Sequence, residues 1–158
     1  MRRTGISVLS LMLALSLTAC GAGFNASTRQ VKQVSDGVEG TISTSDNLIK
    51  AVNILVVETT DGAGVLVGTV VNSRPTEDAL LGVAINGVVA TVSGNTSLVQ
   101  NAPITFEGDS ANAKAAVPAL NTKAGAHVLV TMFFARAGEL SVLALVHAQS
   151  ERYAGVTA

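Results

Sequence analysis

The chain has 158 residues, 48% of them hydrophobic and 13% charged, a balance that builds a packed domain and excludes a disordered one. Ten Lys and Arg against 11 Asp and Glu leave no basic face for nucleic acid. Aromatics are 3%, with no Trp and with Tyr153 the one Tyr, so the stacking platforms used by sugar-binding and single-strand-binding sites are missing too.

The chain starts with Arg2 and Arg3, continues as an apolar run from Ile6 to Leu17, and reaches Leu17-Thr18-Ala19-Cys20. A basic start, a short apolar stretch and small residues at a cleavage point form a secretion signal. The apolar run, about twelve residues, falls short of the roughly twenty that a spanning helix needs. The Leu-x-Ala-Cys ending resembles the bacterial lipobox, in which the cysteine is kept and lipidated. We therefore expect residues 1–19 to be a signal peptide cleaved before Cys20. Lipid on Cys20 would then anchor the protein to the outer face of the cell membrane, with everything beyond it extracytoplasmic. Cys20 is the sole cysteine, so an intramolecular disulfide is excluded and the domain must rest on its apolar core. Without Arg2 and Arg3 the balance of 10 to 11 becomes 8 to 11, a net charge near −3.

Residues 20–40 are rich in Ser, Thr, Asn, Gln and Gly, with too few apolar positions to pack. They read as a flexible tether with an r.m.s. span of roughly 25 Å. The domain is expected over residues 41–150, followed by a tail over 151–158.

After Gly40 the apolar runs are short, rich in Val, Ile and Thr, and broken about every ten residues by Gly, Asn, Asp or Pro. That rhythm predicts an all-β, antiparallel sandwich of about seven to nine strands. The predicted strands are Thr41 to Thr44, Leu48 to Val57, Val65 to Asn72, Leu80 to Ile85, Val88 to Val92, Leu98 to Phe106, a short piece near Ala115 to Val117, Val128 to Ala135, and Leu140 to His147. Asn86-Gly87 between two apolar runs predicts a type I′ hairpin, since both residues tolerate positive φ. Pro103 cannot donate to a ladder, which predicts an edge or a bulge for its strand.

In the last hairpin, Ala135-Arg136-Ala137-Gly138-Glu139 fits a three-residue loop with Gly138 left-handed, so that Ala135 faces Glu139. One face then carries Val128, Val130, Met132 and Phe134 with Leu140, Val142, Ala144 and Val146, and is the core side. The other sets Leu129 opposite Leu145, Thr131 opposite Leu143, Phe133 opposite Ser141 and His127 opposite His147. This second face is apolar in its middle, unlike a solvated sandwich face. Either a crossing loop, the Leu48 to Val57 segment or the edge of the other sheet covers it, or it is an exposed patch that docks a protein partner. On the second reading Leu129, Phe133, Leu143 and Leu145 are the partner-binding candidates.

No catalytic motif is visible. A hydrolase needs a nucleophile, a histidine and an orienting acid, and no such set can be assembled. Gly62-Ala63-Gly64 and Gly82 match no phosphate loop or dinucleotide fingerprint, and Glu77-Asp78 lies in a Pro-containing turn. A cross-strand pair of His127 and His147 would hold its Cβ atoms about 5 Å apart, within reach of one metal ion. A stable site needs three or four ligands, so no metal is expected, and these two histidines are the weak candidates. No cofactor, small-molecule substrate or nucleic-acid partner is implied.

Three stretches carry a resemblance. Val67-Gly68-Thr69-Val70-Val71-Asn72-Ser73, Ala79-Leu80-Leu81-Gly82-Val83, and Lys123-Ala124-Gly125 with Val128 to Gly138 resemble the actinobacterial LpqE-type lipoproteins. They are more distantly similar to the periplasmic copper chaperones of the PCuAC type. The likeness runs over roughly residues 40–150 and implies a cupredoxin-like or immunoglobulin-like sandwich. The copper chaperones hold Cu(I) through His and Met in the middle of the domain. The matching region here, Val88 to Pro118, has neither residue, so none of those ligands carries over. The LpqE-type resemblance implies an accessory subunit at the outer face of the cytochrome bcc and haem-copper oxidase supercomplex, and the chaperone resemblance implies the alternative of a copper or other metal carrier.

Overall fold

A computed structural model describes residues 36–158, where eleven strands and one single-turn helix follow one another. The signal peptide, Cys20 and the tether as far as Ser35 lie outside the described residues. The strands are β1 (Val38–Ser43), β2 (Leu48–Glu58), β3 (Gly64–Asn72), β4 (Asp78–Ile85), β5 (Val88–Val89), β6 (Thr91–Gly94), β7 (Ser97–Leu98), β8 (Ile104–Phe106), β9 (Ala113–Val117), β10 (His127–Phe134) and β11 (Gly138–Ala148). The helix, α1, is Glu151–Tyr153.

All nine predicted runs are strands, and two of them break. Val88 to Val92 divides at the buried Ala90 into β5 and β6. Leu98 to Phe106 divides into β7 and β8, with Pro103 outside the ladder just ahead of β8. Its strand is therefore no edge, because β8 lies between β3 and β9. β1 begins at Val38, inside the stretch whose composition reads as tether. It forms there because β2 offers a partner for Gly40 to Ser43 and the core receives Val38 and Ile42. Gly40 lets β1 come that close, since a Cβ on it would lie 2.6 Å from Val142 Cγ1.

The strand order is β5-β4-β10-β11-β2-β3-β8-β9-β6. One half of this path, β5 to β11, faces the other, β2 to β6, as a sandwich. β11 joins the halves by pairing in parallel with β2 at Val146 to Ala148. At the opposite side the ends of the path, β5 and β6, are successive pieces of the same stretch of chain, so the sandwich is nearly closed as a barrel. Val83, Ile85, Val128, Val130, Met132, Val142 and Ala144 of one half meet Ile54, Val56, Leu66, Val70, Ile104, Phe106 and Ala115 of the other.

Asn53, at φ 55°, is the bulge that lets β2 serve both halves. Ahead of it Ile49 and Ala51 are in the main core; after it the parity changes and Ile54 and Val56 take the core side. Leu55 and Val57 then point outward, into a second cluster with Val65, Val67 and Ala116. The residues after β11 return over this cluster, and Tyr153 and Val156 close it. Gln149 Nε2 donates to Val156 O at 2.7 Å and Lys114 Nζ donates to Thr157 Oγ1 at 3.2 Å, which fixes the returning strap. The tail over 151–158 is thus packed against the sheet, with Val156 only 7% exposed.

Candidate partner-binding face

The β4–β5 hairpin turns at Asn86 and Gly87 with φ of 52° and 79°, the positive pair that a type I′ turn requires. This sets β5 beside β4, and β4 beside β10, so the outer face of this half is four strands wide. The second hairpin, β10–β11, supplies its centre.

The register of that hairpin differs from the expected one. Phe134 faces Gly138, Val130 faces Val142 and His127 faces Leu145, so the loop is Ala135-Arg136-Ala137. Gly138 is left-handed as expected, at φ 86°, but it sits in the ladder rather than in the loop. The cause lies in β4. The Asp78 carboxylate, buried at 7% exposure, accepts the Arg136 N–H at 2.9 Å through Oδ1 and the Ala137 N–H at 2.9 Å through Oδ2. A carboxylate from a third strand thus centres the turn on Arg136, which pairing within the hairpin alone does not reveal.

The shift changes partners by two residues and leaves the faces unchanged. The core side is as expected, with Val128, Val130, Met132, Phe134, Leu140, Val142, Ala144 and Val146 all buried. On the outer side Leu129 now stands opposite Leu143, Thr131 opposite Ser141 and Phe133 opposite Glu139. The Thr131 and Ser141 hydroxyls share a hydrogen bond of 2.9 Å, and Ser141 also donates to the Glu139 carboxylate at 3.0 Å.

No strand or loop among the described residues covers this side. Leu143 is 60% exposed, Leu129 50% and Phe133 40%, while Leu145 is half-buried. Val89, opposite Ala84 on the neighbouring strand pair, extends the face at 78% exposure, and Leu81 joins it at 69% from a bulge opposite β10. Gly82, paired with Phe133, adds no side chain beside the ring. Of the two readings of the second apolar face, no crossing segment is present among the described residues, where Leu129, Phe133 and Leu143 are exposed.

The histidines are not directly opposed. His127 is exposed opposite Leu145, and His147 lies two residues further along β11, so the two are diagonal neighbours about 7–8 Å apart between Cα atoms. His147 Nε2 donates to the Asp36 backbone oxygen at 3.3 Å, and its ring leans on Tyr153 with centroids 5.2 Å apart. Asp36 Oδ2 in turn accepts from Arg152 at 2.9 Å and from the Tyr153 hydroxyl at 3.1 Å. Burial and the Asp36 carboxylate push the Tyr153 hydroxyl up from its ordinary value. Met132 is fully buried and beyond a metal's reach. Among the described residues no group of three or more His, Cys, Asp or Glu converges. A second polar cleft, about 500 Å³, is lined by Glu58, Asp61, Asn121, Thr122 and Lys123. Both acids there are engaged. Lys123 Nζ and the Ala124 N–H hold Glu58 below the usual carboxylate range, and the Thr59 hydroxyl does the same for Asp61. Neither is suited to act as a general acid.

Solved structures share this architecture. The apo PCuAC domain from PmoF1 superposes with a TM-score of 0.57 at 20% identity, covering 68% of this chain and 98% of that one. The copper-bound PCuAC domain from PmoF2 gives 0.55 at 19% identity over 68% and 97%, and its apo form 0.55 at 18% over 72% and 98%. The likeness is one of fold. No protein-family description and no curated protein sequence matches the chain. The fold is therefore the cupredoxin-like or immunoglobulin-like sandwich of PCuAC domains, as the resemblance implied.

Proposed function

We propose that this protein is an extracytoplasmic lipoprotein, anchored through Cys20, that acts by binding a membrane-protein partner and not as an enzyme. The observation that carries the reading is the uncovered row of Leu129, Phe133 and Leu143 on a domain whose other outer face is sealed. An apolar patch of this kind on a soluble sandwich marks a protein contact. The LpqE-type resemblance makes the cytochrome bcc and haem-copper oxidase supercomplex the first partner to test. Extraction in mild detergent followed by affinity purification of the tagged full chain is expected to recover oxidase subunits. The Leu129→Lys, Leu143→Lys double variant is expected to lose them while keeping its fold. Recovery of the wild-type chain as a free monomer overturns this reading.

The shared fold with PCuAC domains favours a second reading, a carrier of copper or another metal. Its donors would be His127 and His147, since Met132 is buried and the Val88 to Pro118 stretch has neither His nor Met. Cu(I) titration against a chromophoric chelator separates the two. Micromolar binding that disappears in His127→Ala and His147→Ala supports the carrier; no binding, or binding unchanged in both variants, removes it.

A further inference from the structure

The outer face that carries Leu129 and Leu143 is ordered in rows across the strands, two residues or about 6.6 Å apart. Strand pairing sets Leu129 with Leu143 in one row, Ala84 with Thr131 and Ser141 in the next, and Gly82 with Phe133 and Glu139 in the third. On the other side of the first row His127 stands with Leu145. Large side chains thus fill the first row and short ones the second across β4, β10 and β11. The exposures follow this order, since Leu143 is 60% and Leu129 50% exposed, whereas Thr131, between Leu129 and Phe133 along β10, is 8%.

The two ends of the face carry an acceptor and a donor. Ser141 Oγ is the one group that bonds the Glu139 carboxylate among the described residues, and no cation there pairs with it. His127 is exposed, and its ring makes no hydrogen bond among the described residues. An imidazole keeps at least one N–H in either charge state, and a carboxylate accepts it. Glu139 stands at the level of Phe133, so it and His127 lie equally far from Val130, on opposite sides.

A two-fold axis laid across the strands at the level of Val130 therefore sets this pattern against its own complement. Each strand lies over its copy with direction reversed, and the row of Leu129 and Leu143 comes over Thr131 and Ser141 of the other chain. The same contact recurs on the other side of the axis, as an isologous interface requires. Val89, at the β5 end of the short row, comes over the Asn86-Gly87 turn, where Gly87 has no side chain. His127 comes over Phe133 of the second copy, one strand from its Glu139. Facing sheets stand about 10 Å apart with their side chains interdigitated, a gap that a histidine and a glutamate bridge together.

We propose that this face also closes on a second copy of the chain, with Leu129 and Leu143 over Thr131 and Ser141 and with His127 donating to Glu139 of the other copy. This rests on the same exposure as the docking reading and gives the face a second occupant, which competes with the membrane-protein partner. Area sets the strength. The eight residues of β10 by four strands measure about 26 Å by about 19 Å, roughly 500 Å² a side. The pair then buries about 1,000 Å², at the threshold for a specific contact and below the roughly 1,600 Å² of a standard one. Such a dimer dissociates, and the face stays open to exchange.

The test is sedimentation equilibrium of the full chain in density-matched non-ionic detergent, with micelles in large excess over chains. The mean mass is expected to rise from one chain towards two as concentration increases. His127→Glu sets carboxylates against each other and is expected to raise the dissociation constant about tenfold. Adding Glu139→Lys exchanges the charges and is expected to return it to within about threefold of the original. Both positions are exposed, so both variants are expected to fold. A mean mass of one chain at the highest concentration reached overturns the dimer. A dimer that His127→Glu leaves unchanged, or that the double variant fails to restore, overturns this face as its contact. Oxidase subunits recovered with a chain that stays monomeric remove this proposal and keep the docking reading. A charge-rescued dimer with no subunits recovered keeps this proposal and removes the docking reading for the supercomplex.

Discussion

The two outer faces of the sandwich are built alike and end differently. In one, Val57 pairs with Val65 and Val65 with Ala116, while Leu55 pairs with Val67. In the other, Leu129 pairs with Leu143. Leu55, Val57 and Val65 are fully buried, whereas Leu129 and Leu143 are half-exposed or more. Strand composition does not separate them. The difference is that residues 149–158 return over the first face and set Val156 and Tyr153 on it, while no segment among the described residues returns over the second. An apolar outer row thus becomes core only where later chain has somewhere to fold back, and where none does, it stays available to another molecule.

The largest effect that sharpens this contrast is expected in paired truncations. Leu55→Ala should cost about 2–5 kcal/mol in guanidinium denaturation, because it opens a cavity in a sealed cluster. Leu143→Ala should stay within about 0.5 kcal/mol. Equal costs would show that the second face is covered in solution. Next in size, Asp78→Ala should cost about 1–3 kcal/mol by leaving the Arg136 and Ala137 N–H groups without their acceptor. It should also raise hydrogen exchange at both amides, and unchanged exchange would mean the turn holds itself.

A smaller effect is expected from Val156→Ala, about 1–2 kcal/mol for the apolar atoms removed. Exchange of the Leu55, Val57 and Val65 amides should quicken while that of β10 does not, if the strap opens as a unit. The smallest effect is in alkali. Folding raises the Tyr153 pKa, so the folded state holds the proton more tightly than the unfolded chain, whose tyrosine ionises near pH 10. The stabilisation is complete below about pH 10 and is lost as pH rises from there through the folded value. Tyr153→Phe should remove that dependence, as read by denaturation midpoints on either side of pH 10.

Much of the fold was legible because its signals are local. Asn86-Gly87 marked a hairpin through backbone preference alone, and the alternation in β10 and β11 marked both faces correctly. The register was not legible, because Asp78 sets it from β4, outside the hairpin that it centres. That error paired His127 with His147 and gave Leu129 the wrong partner. The strap escaped notice for a similar reason. Ser150 to Ala158 holds only scattered apolar residues, and Val156 gains a place only because the Asn53 bulge turns Leu55 and Val57 outward. A positive-φ Asn inside an apolar run is the signal that could have exposed this, since a bulge there reverses the faces of all that follows.

One pinned residue gives the molecule a direction. Asp36 is held beside His147, Arg152 and Tyr153, near the finish of β11, whereas the Arg136 turn stands at the start of that strand. From Gly138 to His147 the strand climbs roughly 30 Å at about 3.3 Å per residue. Asp36 therefore stands at the foot of β11, and Phe133 near its top. Asp36 and the exposed Phe133 ring thus sit at opposite ends of one strand, so a fusion placed ahead of Asp36 is expected to leave the ring accessible.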